Sequence, residues 1–132
     1  MIEQDLNKIT EKIIGCAYAV GNNLGVGFLE KVYENALAYE IRKANLKVEQ
    51  QKLIQVFYDK TVVGEYFADL LVENSILIEL KAVKNLDEIH LAQCLNYLKA
   101  TVLPICLLIN FGKTRVEVRR VYLSSNLRSS FS

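Results

Sequence analysis

Along residues 6–24, Ile9, Ile13, Cys16, Ala17, Val20 and Leu24 recur at steps of three and four. That spacing lays one apolar stripe along a helix. Asn22, Asn23, Gly25 and Gly27 then break the period, and such residues end helices and form turns. A second helix is expected over residues 28–44, with Leu29, Val32, Ala36, Leu37 and Ile41 as its stripe. From residue 47 the period changes. Val48, Leu53, Ile54, Val56, Phe57 and Tyr58 lie in an extended stretch rich in β-formers. Asp59 and Lys60 read as a hairpin turn, residues 61–72 as a second strand, and Glu73 with Asn74 as a second turn. Residues 75–83 form a third strand. Its Ile76, Leu77, Ile78 and Leu80 are apolar on both faces, which places it centrally in a sheet. Residues 87–100 are again helical, with Leu91, Leu95 and Leu98 on one face and Pro104 just beyond the end. A buried strand at 105–111, a turn at Gly112 and Lys113, and a last strand at 115–123 complete the pattern. In that last strand Val116 and Val118 alternate with Arg115, Glu117 and Arg119, as on a half-exposed edge. The order is helix, helix, three strands, helix, two strands. It predicts an α+β or mixed α/β sheet and not a regular βαβ series.

Length and composition narrow the class. A chain of 132 residues suits one domain, read here as residues 1–123 followed by a polar, serine-rich tail at 124–132. Apolar residues make up 52% and charged residues 23%, enough to build a core. The net charge is only +1, so a nucleic-acid partner needs a local basic patch. Lys84, Lys99, Lys113, Arg115, Arg119 and Arg120 are its candidate members. No uninterrupted apolar run reaches the roughly 18 residues of a membrane span. Residues 1–12 lack the basic-then-apolar layout of a signal peptide. A cytoplasmic location without a membrane partner follows as the default. Cys16, Cys94 and Cys106 are widely spaced in apolar runs and read as free thiols. With His90 as the lone histidine, they make a poor zinc or iron–sulfur framework. His90 itself reads as a helix-start residue.

The residues that carry chemistry are charges in the wrong places. Glu79 and Lys81 interrupt the most apolar strand, and being two apart they share one of its faces. Burying such ions costs several kcal/mol each before pairing. Asp69 interrupts the preceding strand in the same way, and a turn centred on Glu73 and Asn74 sets it nearly opposite Glu79. Two facing carboxylates repel unless a cation lies between them. Magnesium, a hard ion that prefers oxygen ligands, is the natural candidate, with manganese as a substitute. Lys81 could then orient an attacking water and stabilise charge on a phosphate. The competing reading is a buried Asp–Lys–Glu salt-bridge network that holds the hairpin register. Gln93 and Tyr97 share a helix side away from the leucines, and face either the carboxylates or solvent. Glu30, in the first turn of the second helix, also suits the helix dipole alone.

With these residues in hand, the chain resembles the bacterial and archaeal GxxExxY proteins. Gly27, Glu30 and Tyr33 fill the named positions within Leu24-Gly25-Val26-Gly27-Phe28-Leu29-Glu30-Lys31-Val32-Tyr33. The blocks Phe67-Ala68-Asp69-Leu70-Leu71-Val72, Ile78-Glu79-Leu80-Lys81-Ala82-Val83, Ala92-Gln93-Cys94-Leu95-Asn96-Tyr97-Leu98 and Leu107-Leu108-Ile109-Asn110-Phe111-Gly112 match in order. The family sits in the PD-(D/E)XK nuclease-like superfamily. The resemblance implies a restriction-endonuclease-like core of helix, three antiparallel strands, helix and strand, here with an extra N-terminal helix and C-terminal strand. It implies a magnesium-dependent nuclease acting on DNA or RNA, with Asp69, Glu79 and Lys81 as the D…ExK set and Glu30 as a helix-borne acid at the same metal. Gln93 and Tyr97 resemble the QxxxY element of exonuclease-like branches and would orient substrate. Gly21 stands where the family often carries histidine, Val26 where it carries proline, and Ala68 where the superfamily name implies proline. The rival function is a non-catalytic nucleic-acid-binding or protein-interaction module on the same fold. A third is a hydrolase of another phosphate compound, or a subunit completed in a larger assembly. An exposed apolar edge on the last strand would favour a homo-oligomer.

Overall fold

The computed structural model describes residues 3–123; the first two residues and the tail at 124–132 lie outside the described part. Helices α1 (Glu3–Leu24) and α2 (Glu30–Lys43) precede strands β1 (Val48–Tyr58), β2 (Thr61–Val72) and β3 (Ile76–Lys81). Helix α3 (Glu88–Thr101) and strands β4 (Ile105–Asn110) and β5 (Glu117–Val121) follow. The five strands form one sheet in sequence order. β1, β2 and β3 are antiparallel, β3 and β4 are parallel, and β5 runs antiparallel to β4 at the edge. The parallel pair needs a crossover, which α3 supplies. This is the restriction-endonuclease-like mixed α/β arrangement expected. Among the described residues no helix is long and apolar enough to cross a membrane.

Both hairpin turns lie where the sequence places them. Asp59 and Lys60 have φ of 50° and 65°, and Tyr58 pairs directly with Thr61. Two positive φ values match the twist of the flanking strands. Glu73 and Asn74, at 51° and 53°, repeat the device, and the Ser75 amide closes that turn on the Val72 carbonyl at 3.0 Å.

The sheet has a core on each face, which explains why β3 and β4 are apolar throughout. On one side Ile13, Leu37 and Ile41 of the first two helices pack with Ile76, Ile78 and Leu80. On the other, Cys94, Tyr97 and Leu98 of α3 pack with Leu71, Leu77 and Leu108. Two helix faces differ from expectation. In α2, Leu29 and Val32 are exposed, and Tyr33, Glu34, Leu37, Ala38 and Ile41 are buried. The stripe is rotated because Tyr33 can sink whole: its hydroxyl donates to the Gly25 carbonyl at 2.6 Å, and its ring stacks on Phe111 at 4.8 Å. In α3, Leu91 and Leu95 are only partly buried, and Cys94, Tyr97 and Leu98 face the sheet. Tyr97 there caps the Phe67 carbonyl, so it takes a core place that leucine alone would hold by area.

Two small features brace the far end of β3. Asn110, fully buried, accepts from the amides of Val83 and Gly112 and donates to the Val83 carbonyl and Glu117. Gly112 lies so close to this segment that a Cβ would come 2.2 Å from the Val83 carbonyl oxygen. At Gly21 a Cβ would meet Val116 Cγ2 at 2.3 Å, so the close packing of α1 on Val116 requires glycine there. The edge strand β5 exposes Arg119 and Arg120, a charged edge and not an apolar one.

Candidate active site

The sheet opens at Asp69. On one side the β2–β3 ladder ends at Leu70 and Ile78. On the other, Gln50 pairs with Leu70 and Lys52 with Ala68, but Gln51, opposite Asp69, leaves the ladder with φ of 54°. Period-2 alternation fails at the same point: Leu70 and Val72 pack in the α1–α2 core, and Ala68 packs in the α3 core. A strand whose backbone partners are lost must find others. Here the Asp69 side chain substitutes, its Oδ2 accepting the Leu80 amide at 2.7 Å.

Glu79 is 5% exposed. Its Oε2 lies 3.6 Å from Lys81 Nζ. Among the described residues its buried Oε1 has no hydrogen-bond partner, an expensive state for a polar atom. Burial, reinforced by the Asp69 carboxylate and only partly offset by Lys81, pushes Glu79 up to about 8. Its protonated form is thus favoured more than in a free glutamate, and Lys81 only partly opposes this. Burial also raises Asp69, with Glu34 and Glu30 adding to the rise and the Leu80 amide and Gln51 opposing it. Two carboxyl groups pushed up together in one place are a common sign of a functional site.

Tyr97 reaches this cluster from α3. It is 2% exposed, accepts from Gln93 Nε2 at 2.9 Å and donates to the Phe67 carbonyl at 3.4 Å. Burial and the nearby Glu79 and Asp69 charges raise its phenol well above the usual range. Gln93 and Tyr97 thus stand with the carboxylates and do not face away. Glu30 sits at the exposed start of α2 and adds negative field at Asp69. Tyr33 pins the preceding loop, in which Gly27 has φ of 108°, and so positions that helix start.

Glu34 is the residue that sequence reasoning missed. It is 3% exposed and accepts from Gln50 and Gln51 at 2.8 and 2.7 Å, with Lys31 at 3.0 Å. Gln51 Nε2 also reaches Asp69 Oδ1 at 3.4 Å, so one amide joins the α2 acid to the site. The only signal for it was its i,i+4 spacing from Glu30, which puts both on one helix side. His90 forms the capping box of α3, its Nδ1 accepting the Asp87 amide at 3.1 Å. Of the basic candidates, Lys113 and Arg119 both lie near Glu117, at 3.8 and 3.9 Å.

The donor set suits a hard cation: an unpartnered Glu79 Oε1, and an Asp69 Oδ1 with one long hydrogen bond. Among the described residues no three His, Cys, Asp or Glu side chains gather as a ready-made metal cluster. A cation here would rest on two carboxylates, with water or substrate oxygen completing its shell. Residues 7–121 match the PD-(D/E)XK nuclease superfamily, and the chain belongs to that superfamily. No curated protein and no solved structure matches it.

Proposed function

We propose that this protein is a magnesium-dependent nuclease of the GxxExxY group that hydrolyses phosphodiester bonds in DNA or RNA, with manganese able to replace magnesium. The observation that carries the reading is Glu79: a carboxyl buried beside Asp69 and Lys81 with one oxygen unused. A salt-bridge network alone gives no reason to leave that atom bare. Asp69 and Glu79 would hold the cation, and the Leu80 carbonyl, on the strand between Glu79 and Lys81, would be a further oxygen ligand. The ion supplies Lewis-acid polarisation of a phosphoryl oxygen and a more acidic water. Lys81 positions the attacking water and offsets charge growing on the phosphate. Glu30, at the mouth, serves a second cation or an ordered water. Gln93 and Tyr97 orient substrate from α3, Tyr97 being fixed by its bond to the Phe67 carbonyl.

Calorimetric titration of magnesium and manganese, with and without a short oligonucleotide, tests the site. Binding in the wild type that vanishes in Asp69→Asn supports it. Equal binding in both proteins, or none in either with oligonucleotide present, rejects it.

A further inference from the structure

Beside Lys81, a cavity of about 540 Å³ is lined by Tyr66, Lys81, His90, Gln93, Asn96 and Tyr97, among others. A second, of about 370 Å³, is lined by Val56, Phe57, Tyr66, Asn96, Lys99 and Ala100. Tyr66 and Asn96 belong to both, so the two form one groove that begins at Lys81 and runs along α3. Its walls differ in chemistry. One wall is a stripe of α3, where His90, Gln93, Asn96 and Lys99 recur every three residues and present hydrogen-bonding or charged groups. The Asp87 amide occupies His90 Nδ1, which leaves the imidazole proton on Nε2 as a free donor. The other wall is the β1–β2 hairpin, which offers the rings of Tyr66 and Phe57. These are 48% and 59% exposed, and Tyr66 is tilted against Tyr97 at 6.0 Å between centroids.

We infer that the substrate is single-stranded, and that this groove holds the nucleotides flanking the scissile phosphate, bases on Tyr66 and Phe57 and phosphates along α3. The inference rests on the nuclease reading and narrows its substrate. Exposed rings beside a row of donors and cations complement a chain that offers base faces and phosphates together. In a duplex the base faces are stacked on each other, and only phosphates and groove edges are presented. Each cavity is of the size that takes a small-molecule group, roughly 300–1,000 Å³, which suits one base and its sugar. The groove continues directly from Lys81, so a strand lying in it delivers a phosphate to the carboxylates.

Fluorescence anisotropy in metal-free, low-salt buffer tests this without cleavage. The probe is one labelled oligodeoxynucleotide, presented single-stranded and as a blunt duplex. The wild type should bind the single strand at least tenfold more tightly, on the order of 1.4 kcal/mol. Tyr66→Leu should weaken single-strand binding about tenfold, as expected for one lost base–ring stack. Tyr66→Phe, which keeps the ring, should stay near wild type, and Phe57→Leu should repeat the loss. Duplex binding as tight as single-strand binding, equal affinity in Tyr66→Leu and Tyr66→Phe, or binding of neither form would overturn it. Metal titration of wild type and Asp69→Asn scores the carboxylate site separately. Asp69-dependent metal binding without strand preference rejects the groove and leaves the nuclease reading standing.

Discussion

Replacing Glu79 by glutamine should make the metal-free protein more stable in mild alkali while removing its response to magnesium. Glu79 is 5% exposed and is raised from 4.5 to about 8, chiefly by burial. Its folded value lies above its unfolded one. Its contribution to stability is therefore complete below about pH 4.5, falls as pH rises, and is gone above about pH 8. A shift of this size makes ionising the buried carboxyl cost on the order of 3–5 kcal/mol. Glutamine has nearly the same shape and does not titrate. In Glu79→Gln the melting temperature should match wild type near about pH 4 and exceed it by roughly 10–30 °C near about pH 9, at roughly 3–6 °C per kcal/mol for a domain of this size. Saturating magnesium at the higher pH should recover much of that deficit in wild type, about 2.7 kcal/mol at a hundredfold excess over Kd, and leave the variant unmoved. Thermal melts followed by circular dichroism across this pH range, with and without magnesium, read all of it. A variant less stable than wild type at every pH, with magnesium affecting neither protein, would show that the Glu79–Lys81 contact is structural and would refute the reasoning.

Other positions give independent tests. Asn110→Ala strips four hydrogen bonds from a fully buried site; denaturant unfolding should show a loss of roughly 3 kcal/mol. Gly112→Ala forces a methyl to 2.2 Å from the Val83 carbonyl oxygen; a loss of about 2 kcal/mol or more is expected in the same assay. Gln51→Leu removes the donor shared by Glu34 and Asp69. Asp69 should then rise further, and the midpoint of metal binding should move to higher pH, which calorimetry at several pH values measures.

Much of this molecule could be read before folding because its signals are local. The turns at Asp59 with Lys60 and Glu73 with Asn74 fall between runs of β-formers, and the two-residue loop needs residues that tolerate positive φ. Asp69, Glu79 and Lys81 stood out because charge inside apolar strands has no cheap explanation. What stayed hidden depends on partners far along the chain. Glu34 looks like one more surface acid on α2 until Gln50 and Gln51 arrive from β1 to cap it. Tyr97 looks like an outward residue until the Phe67 carbonyl, thirty positions away, accepts its hydroxyl. The break at Asp69 was invisible for the same reason, since strict alternation is what a strand pattern assumes, and Gln51 departs from it only where two ladders part.

Strand scission tests the central claim most directly. Wild type, Asp69→Asn and Lys81→Met, purified identically, are incubated with end-labelled single- and double-stranded DNA and RNA, in magnesium, in manganese and in chelator. The account predicts cleavage by wild type that needs the divalent ion and falls at least about a hundredfold in either variant. Cleavage that persists in chelator or in Asp69→Asn, or no cleavage of any substrate by a wild type that binds metal and oligonucleotide, would contradict it.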